Sequence, residues 1–164
     1  MEKQNFYDLN FDQLKNFLIE KAYVDDNKAK MRTQQMFNAV YKKNIKNFDE
    51  LTTFGLELRE KIKDLMSLAK PKIIDIQKSK DGTIKFLLEL KDKRNVETVL
   101  IPDKTQSRYT ICLSVSVGCY LSCEFCATAQ ISKKLVRNLS PGEIISQIIL
   151  CKDYIDDWST QKKI

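Results

Sequence analysis

The sequence predicts an α/β fold in which a helical block precedes a small antiparallel sheet and a strand–loop–helix segment. Apolar residues recur at helical spacing as far as about Lys70. An Asp-Gly turn then separates two runs of strand type. Further on, a strand enters a cysteine-bearing loop that ends at a strong helix start. These blocks give expected domains over 1–70, 71–109 and 110–164.

In the first block, Phe11, Leu14, Phe17, Leu18 and Ala22 follow one helical face, and Met36, Phe37, Val40 and Tyr41 follow a second. A third helix is expected over Leu56–Ala69, with Leu58, Ile62, Leu65 and Ala69 on its apolar side and Gly55 and Pro71 at its ends. In the second block, Ile73–Gln77 and Thr83–Leu90 flank the turn Lys80-Asp81-Gly82, and Val96–Ile101 is a strand stopped by Pro102. In the third, a strand over Thr110–Val115 leads to Gly118. Ser140-Pro141-Gly142-Glu143 then opens a helix, with Ser140 as N-cap, Pro141 at the first position and Glu143 closing a capping box. Ile144, Ile145, Ile148, Ile149 and Tyr154 are its expected buried face. Strand, loop and helix make the first half of a βαβ unit, whose second parallel strand is expected past Ile164.

A chain of 164 residues, 43% hydrophobic and 30% charged, has the balance of a folded domain rather than a disordered one. Met1 to Asn10 lacks the basic stretch and apolar run of a signal peptide, and no apolar run approaches membrane-spanning length. A cytoplasmic location, away from membrane, is the expectation, and there thiols stay reduced. The charge is uneven. Lys28, Lys30, Arg32, Lys42, Lys43 and Lys46 fall between Asn27 and Phe48 with no acid among them, and they account for the whole net charge of +6. Such a window is either a solvated face or a surface for a phosphate backbone.

Four of the five cysteines lie between Cys112 and Cys126, and the chain has no histidine. Cys119, Cys123 and Cys126 have the spacing C-x3-C-x2-C. Three thiolates on a tight loop can hold three corners of a cubane iron–sulfur cluster and leave one iron open. Zinc is the competing occupant. It wants four ligands, so Cys112 or Cys151 would have to supply the last. Unconnected thiols are the third reading. Cys151, on the following helix, is most simply a core residue.

Cys119-Tyr120-Leu121-Ser122-Cys123-Glu124-Phe125-Cys126 resembles the signature of radical S-adenosylmethionine (SAM) enzymes, including the aromatic residue before the last cysteine. The wider run resembles one family in that class, the bacterial radical-SAM RNA adenine C2-methyltransferases. Its pattern is matched by Cys112, Val117-Gly118-Cys119, Phe125-Cys126-Ala127-Thr128-Ala129, Arg137-Asn138-Leu139 and Glu143-Ile144-Ile145-Ser146-Gln147. Upstream, Glu97-Thr98-Val99-Leu100-Ile101-Pro102 resembles the family's E-T-V-x-I-P strand, and the basic helical block with Arg32, Gln35, Tyr41-Lys42-Lys43 and Arg59-Glu60-Lys61 resembles its RNA-facing N-terminal domain.

The resemblance implies a helical RNA-binding subdomain and a small sheet leading into an incomplete radical-SAM (β/α) partial barrel. It implies a [4Fe–4S] cluster on Cys119, Cys123 and Cys126, S-adenosyl-L-methionine on the open iron, and Phe125 near the SAM adenine. Composition alone leaves Phe125 equally a core aromatic. The implied reaction methylates C2 of adenosine in large-subunit ribosomal RNA and in tRNA, through a methylated cysteine and a covalent protein–RNA adduct. Cys112 is implied to resolve that adduct by disulfide formation, and Glu97 to accept the adenine proton. Read from the residues alone, Cys112 is a strand thiol and Glu97 a surface carboxylate. A flavodoxin-like electron donor and a monomeric state are also implied. The family's G-E-P motif and methyl-accepting cysteine have no counterpart here, so the chain is expected to be an N-terminal part, inactive by itself. The sister activity at C8 of adenine shares these motifs, and an RNA-binding module with structural zinc is the non-catalytic alternative.

Overall fold

The computed structural model describes residues 3–103, 105, 108–119, 124 and 136–158. The chain divides into two compact units, Met1–Ala69 and Lys70–Ile164.

The first unit is helical. It opens with a short strand β1 (Gln4–Asn5) and a 3-10 turn over Phe6–Asp8. Helix α1 (Phe11–Glu20) starts at Asn10, whose side chain accepts from the Gln13 amide while the Gln13 side chain accepts from the Asn10 amide. Helix α2 (Asp26–Tyr41) is capped by Asp25. Helix α3 (Leu56–Leu65) follows Gly55. It ends about four residues before the expected Ala69, because Met66–Ser67 forms strand β2 in parallel register with β1. That pairing ties the two ends of the unit together. Leu14, Leu18, Met36, Leu51, Ile62 and Met66 are fully buried among these helices. Phe6 packs at tilted angles against Phe37 and Tyr41, with ring centroids 5.5 and 5.7 Å away.

The second unit is built, among the described residues, on a four-stranded antiparallel sheet with a helix packed on it. Strands β3 (Lys72–Lys78), β4 (Ile84–Glu89), β5 (Asn95–Asp103) and β6 (Arg108–Cys112) are neighbours in chain order. The Asp-Gly signal does form the β3–β4 hairpin. Gly82 takes φ +96, and the Asp81 carboxylate accepts from the Thr83 amide. Pro102 does not stop β5, which runs on to Asp103. Strand β4 begins at Ile84 opposite Leu100, so the prolyl nitrogen is past the β4 ladder and no bond to β4 is lost there. Strands β7 (Ser116–Val117) and β8 (Arg137–Asn138) pair antiparallel and lead into helix α4 (Pro141–Ile155). The capping box at Ser140 and Glu143 is present as the sequence requires.

Alternation on β5 divides the sheet. Val96, Thr98 and Leu100 are buried, while Glu97 and Ile101 are exposed. The buried side packs against α4, where Phe86, Leu88, Leu90, Leu100, Leu139 and Cys151 form one core. Tyr154 meets Phe86 edge-on at 5.0 Å. Burial pushes the Cys151 thiol up to about 12, as expected for an inert core cysteine. The expected apolar stripe on α4 is only partly right. Ile149 is buried and Ile144, Ile145, Ile148 and Tyr154 are half-buried, whereas Ser146 and Gln147 are fully covered.

Candidate active site

The open face of the sheet brings Glu97 and Cys112 together. Val99 is directly opposite Cys112, and Glu97 lies two residues from Val99 on the same face. That makes the carboxylate and the thiol diagonal neighbours on adjacent strands, with Cα atoms roughly 7–8 Å apart by sheet geometry. Both residues are exposed, and Cys112 is in no disulfide. The Lys85 ammonium, one strand over, lies 3.0 Å from the Glu97 carboxylate. With side chains 39% and 53% exposed, this pair is held weakly and the carboxylate remains accessible.

The strand expected over Thr110–Val115 ends at Cys112, and Gln147 explains why. From inside helix α4 its carboxamide oxygen accepts from the Ser114 amide at 3.0 Å and from the Thr98 hydroxyl at 2.7 Å. Its nitrogen donates to the Ser114 carbonyl at 2.9 Å and to the Glu143 carbonyl at 3.1 Å. All four hydrogen-bonding positions of the amide are filled. Gln147 is wholly buried and Thr98 nearly so. The amide takes over both backbone groups of Ser114 that continued pairing with β5 would have used. The Ser114 hydroxyl, in turn, donates to the Glu97 carbonyl at 2.6 Å. The segment leaving Cys112 is thereby fixed at both its backbone and its side chain.

Beyond this clamp, β7 and β8 pair on either side of the cysteine-bearing segment. The Val136 amide donates to the Val117 carbonyl at 2.8 Å, and the Leu139 amide to the Val115 carbonyl at 2.9 Å. Gly118 follows at φ +77, a conformation open to glycine. Arg137 locks the far side. Its guanidinium grips Glu143 through two nitrogens at 2.7 and 2.8 Å and reaches Asp92, on the β4–β5 turn, at 2.8 Å. The hydrogen bonds to Arg137 hold the Glu143 carboxyl below its usual range, against a smaller opposing effect of burial. Asp92 is lowered by the same guanidinium.

Cys119 is half-buried, directly after Gly118. Cys123, Phe125 and Cys126 lie outside the described residues. The donor set in the sequence is of the kind an iron–sulfur cluster takes: three thiols at C-x3-C-x2-C spacing and no histidine, with Cys151 sealed in the core and out of use as a fourth ligand. Sequence reasoning found Gln147 and Arg137 only as parts of motifs. A signal was present, since Glu143 and Gln147 are one turn apart on a helix that is mostly apolar there.

In the first unit the six basic residues do not share one face. Lys28 and Lys30 stand two residues apart on α2, hence about 200° apart around the axis. Lys28, Lys30, Lys42, Lys43 and Lys46 are exposed. Arg32 is half-buried and engaged within the unit. Its guanidinium donates to the Thr53 carbonyl at 2.8 Å and sits 4.9 Å from the Phe54 ring centre.

Comparison with known proteins places this arrangement in a class. A crystal structure of a radical SAM methyltransferase from Sphaerobacter thermophilus superposes with a TM-score of 0.78 at 29% identity, covering 93% of this chain and 42% of that one. The architecture is therefore that of a radical-SAM methyltransferase. Residues 4–68 match the family model of the ribosomal RNA large subunit methyltransferase N-terminal domain. A dual-specificity RNA methyltransferase RlmN from Novosphingobium aromaticivorans is 39% identical over 141 residues, 86% of this chain and 32% of the relative. A probable RlmN from Staphylococcus aureus is 36% identical over 163 residues, 99% of this chain and 42% of the relative. Residues 4–68 thus resemble a ribosomal RNA large subunit methyltransferase N-terminal domain, and the chain as a whole is similar to part of the dual-specificity RNA methyltransferases. It spans between a third and about two fifths of the length of these relatives. Among the described residues no helix is long and apolar enough to cross a membrane.

Proposed function

We propose that this chain is the RNA-facing and cluster-bearing part of a cytoplasmic radical-SAM methyltransferase that methylates C2 of adenosine in large-subunit ribosomal RNA and in tRNA. The observation that carries this reading is the shared open face of Glu97 and Cys112, with the three-cysteine loop beginning seven residues beyond Cys112. Cys119, Cys123 and Cys126 would hold a [4Fe–4S] cluster, with Phe125 beside bound SAM. When bound, that pair supplies one-electron chemistry; the protein supplies position and shielding.

The residues of this chain have separate tasks. Glu97 is the proton acceptor, a role open to an exposed carboxylate held only by Lys85. Cys112 is the resolving thiol, and its exposure on the same face suits disulfide exchange. Lys28, Lys30, Lys42, Lys43 and Lys46 attract the RNA backbone, while Arg32 braces the turn that ends at Phe54. A flavodoxin-like donor supplies electrons, and the protein works as a monomer.

The test uses the full-length protein that contains this sequence, with methyl-labelled SAM and ribosomal RNA. The reading expects 2-methyladenosine on mass mapping, and loss of product in Glu97→Gln and Cys112→Ala. A methyl group at C8 would instead assign the sister activity. Full product from both variants would remove Glu97 and Cys112 from the chemistry.

A further inference from the structure

Tyr23 is the most exposed of the large hydrophobic residues that stand out at the surface, at 78%. It occupies the turn between α1 and α2, where the Val24 amide returns to the Leu18 carbonyl at 2.9 Å. Closing that turn requires a left-handed residue, and Tyr23 supplies it at φ +56. Glycine meets that requirement at no steric cost, and asparagine at little. A bulky aromatic there is strained. Strain of this kind gathers at ligand clamps, where the surroundings hold it in place.

The ring is not in the core. It faces a cation instead: the Lys61 ammonium of α3 lies 3.8 Å from the ring centre. Lys21 at the end of α1 and Lys28 on the first turn of α2 are exposed near it in sequence. Two acids that follow Tyr23 are engaged locally. Asp25 caps the Asn27 amide at 2.9 Å, and Asp26 faces Lys15 at 3.8 Å. An outward aromatic with an ammonium over it and further lysines about is the surface that takes an unstacked nucleobase. Proteins read single-stranded RNA loops by stacking splayed bases on aromatic rings, with cations nearby for the backbone.

We propose that Tyr23 is a stacking platform for an unpaired RNA base, with Lys61 as its cationic partner. The proposal rests on the RNA reading of the first unit and adds a specific contact and a preference. The basic residues bind any phosphate backbone, whereas Tyr23 favours RNA that offers an unpaired base over duplex.

The test measures binding of the 164-residue chain to two RNAs, a hairpin with an unpaired loop and a blunt duplex of the same stem. Wild type should prefer the hairpin. Tyr23→Phe should keep that preference. Tyr23→Gly should lose roughly tenfold in hairpin affinity, to the duplex level, while the salt dependence of binding stays the same. Its melting temperature should hold or rise, because glycine relieves the left-handed strain. Affinity and stability moving in opposite directions is a result that a merely structural tyrosine would not give. If Tyr23→Gly melts early, Tyr23→Asn, which tolerates the same backbone, carries the comparison.

Wild-type affinity for both RNAs at background level would overturn the RNA reading of the unit and this proposal with it. Wild-type preference for the hairpin that survives intact in Tyr23→Gly or Tyr23→Asn would overturn the Tyr23 assignment alone.

Discussion

Gln147 shows how one residue can decide where an exposed thiol, that of Cys112, stands. Its amide makes four hydrogen bonds, two of them to the backbone of Ser114. Replacing it with a side chain of the same length and no hydrogen bonds leaves buried polar groups unmet. Gln147→Met should therefore cost about 1–3 kcal/mol in urea denaturation. The loss should be local as well as global. Amide exchange across residues 113–115 should rise at least several-fold, while the β3–β4 hairpin keeps its protection. Unchanged exchange at Ser114 would mean that the segment after Cys112 is held by something other than this clamp. Glu97 and Cys112 stood out in the sequence only through the family resemblance, since a strand carboxylate and a strand thiol carry no signal by themselves. Gln147 was not assigned a role, because helical periodicity marks apolar positions, and a buried amide breaks that pattern without announcing its partners.

At the scale of elements, Arg137 joins three pieces: strand β8, the first turn of α4 and the β4–β5 turn carrying Asp92. Its effect should appear in the pH dependence of stability. The Glu143 carboxyl is lowered in the folded state, chiefly by hydrogen bonds to Arg137. A lowered carboxyl contributes stability that is fully present above its unfolded value of about 4.3 and is lost as pH falls through the folded value. With Arg137 one-third exposed, that contribution is about 1 kcal/mol after solvent screening. Glu143→Gln should flatten the acid limb of the stability curve below about pH 4, and Arg137→Met should do the same. An acid limb identical to wild type in both would show that the clamp carries no net stability. Element boundaries show the same limit of sequence reasoning. Helix starts at Asn10 and Ser140 follow from local capping chemistry. The early end of α3 does not, because it is set by pairing of Met66–Ser67 with Gln4–Asn5, more than sixty residues away in the chain.

For the whole molecule, the two units differ in what they expose: the first cations and an aromatic ring, the second a sheet face with Glu97 and Cys112 on it. The general class of fold was legible, since helical spacing and the Asp-Gly hairpin are local signals. Less legible was that β6 belongs to the antiparallel sheet and that β7 pairs with β8, because both are set by partners that local sequence does not name. The charge window was visible as composition, but its spread around α2 appears only once the helix exists.

In the proposed enzyme, Cys119, Cys123 and Cys126 form a cluster site while Cys112 stays outside it. Anaerobic reconstitution with iron and sulfide tests this most directly. The account predicts a brown protein with about four irons per chain, lost when any of the three loop cysteines is changed to Ala and retained in Cys112→Ala. A colourless protein that binds one zinc and needs Cys112 to do so would contradict it.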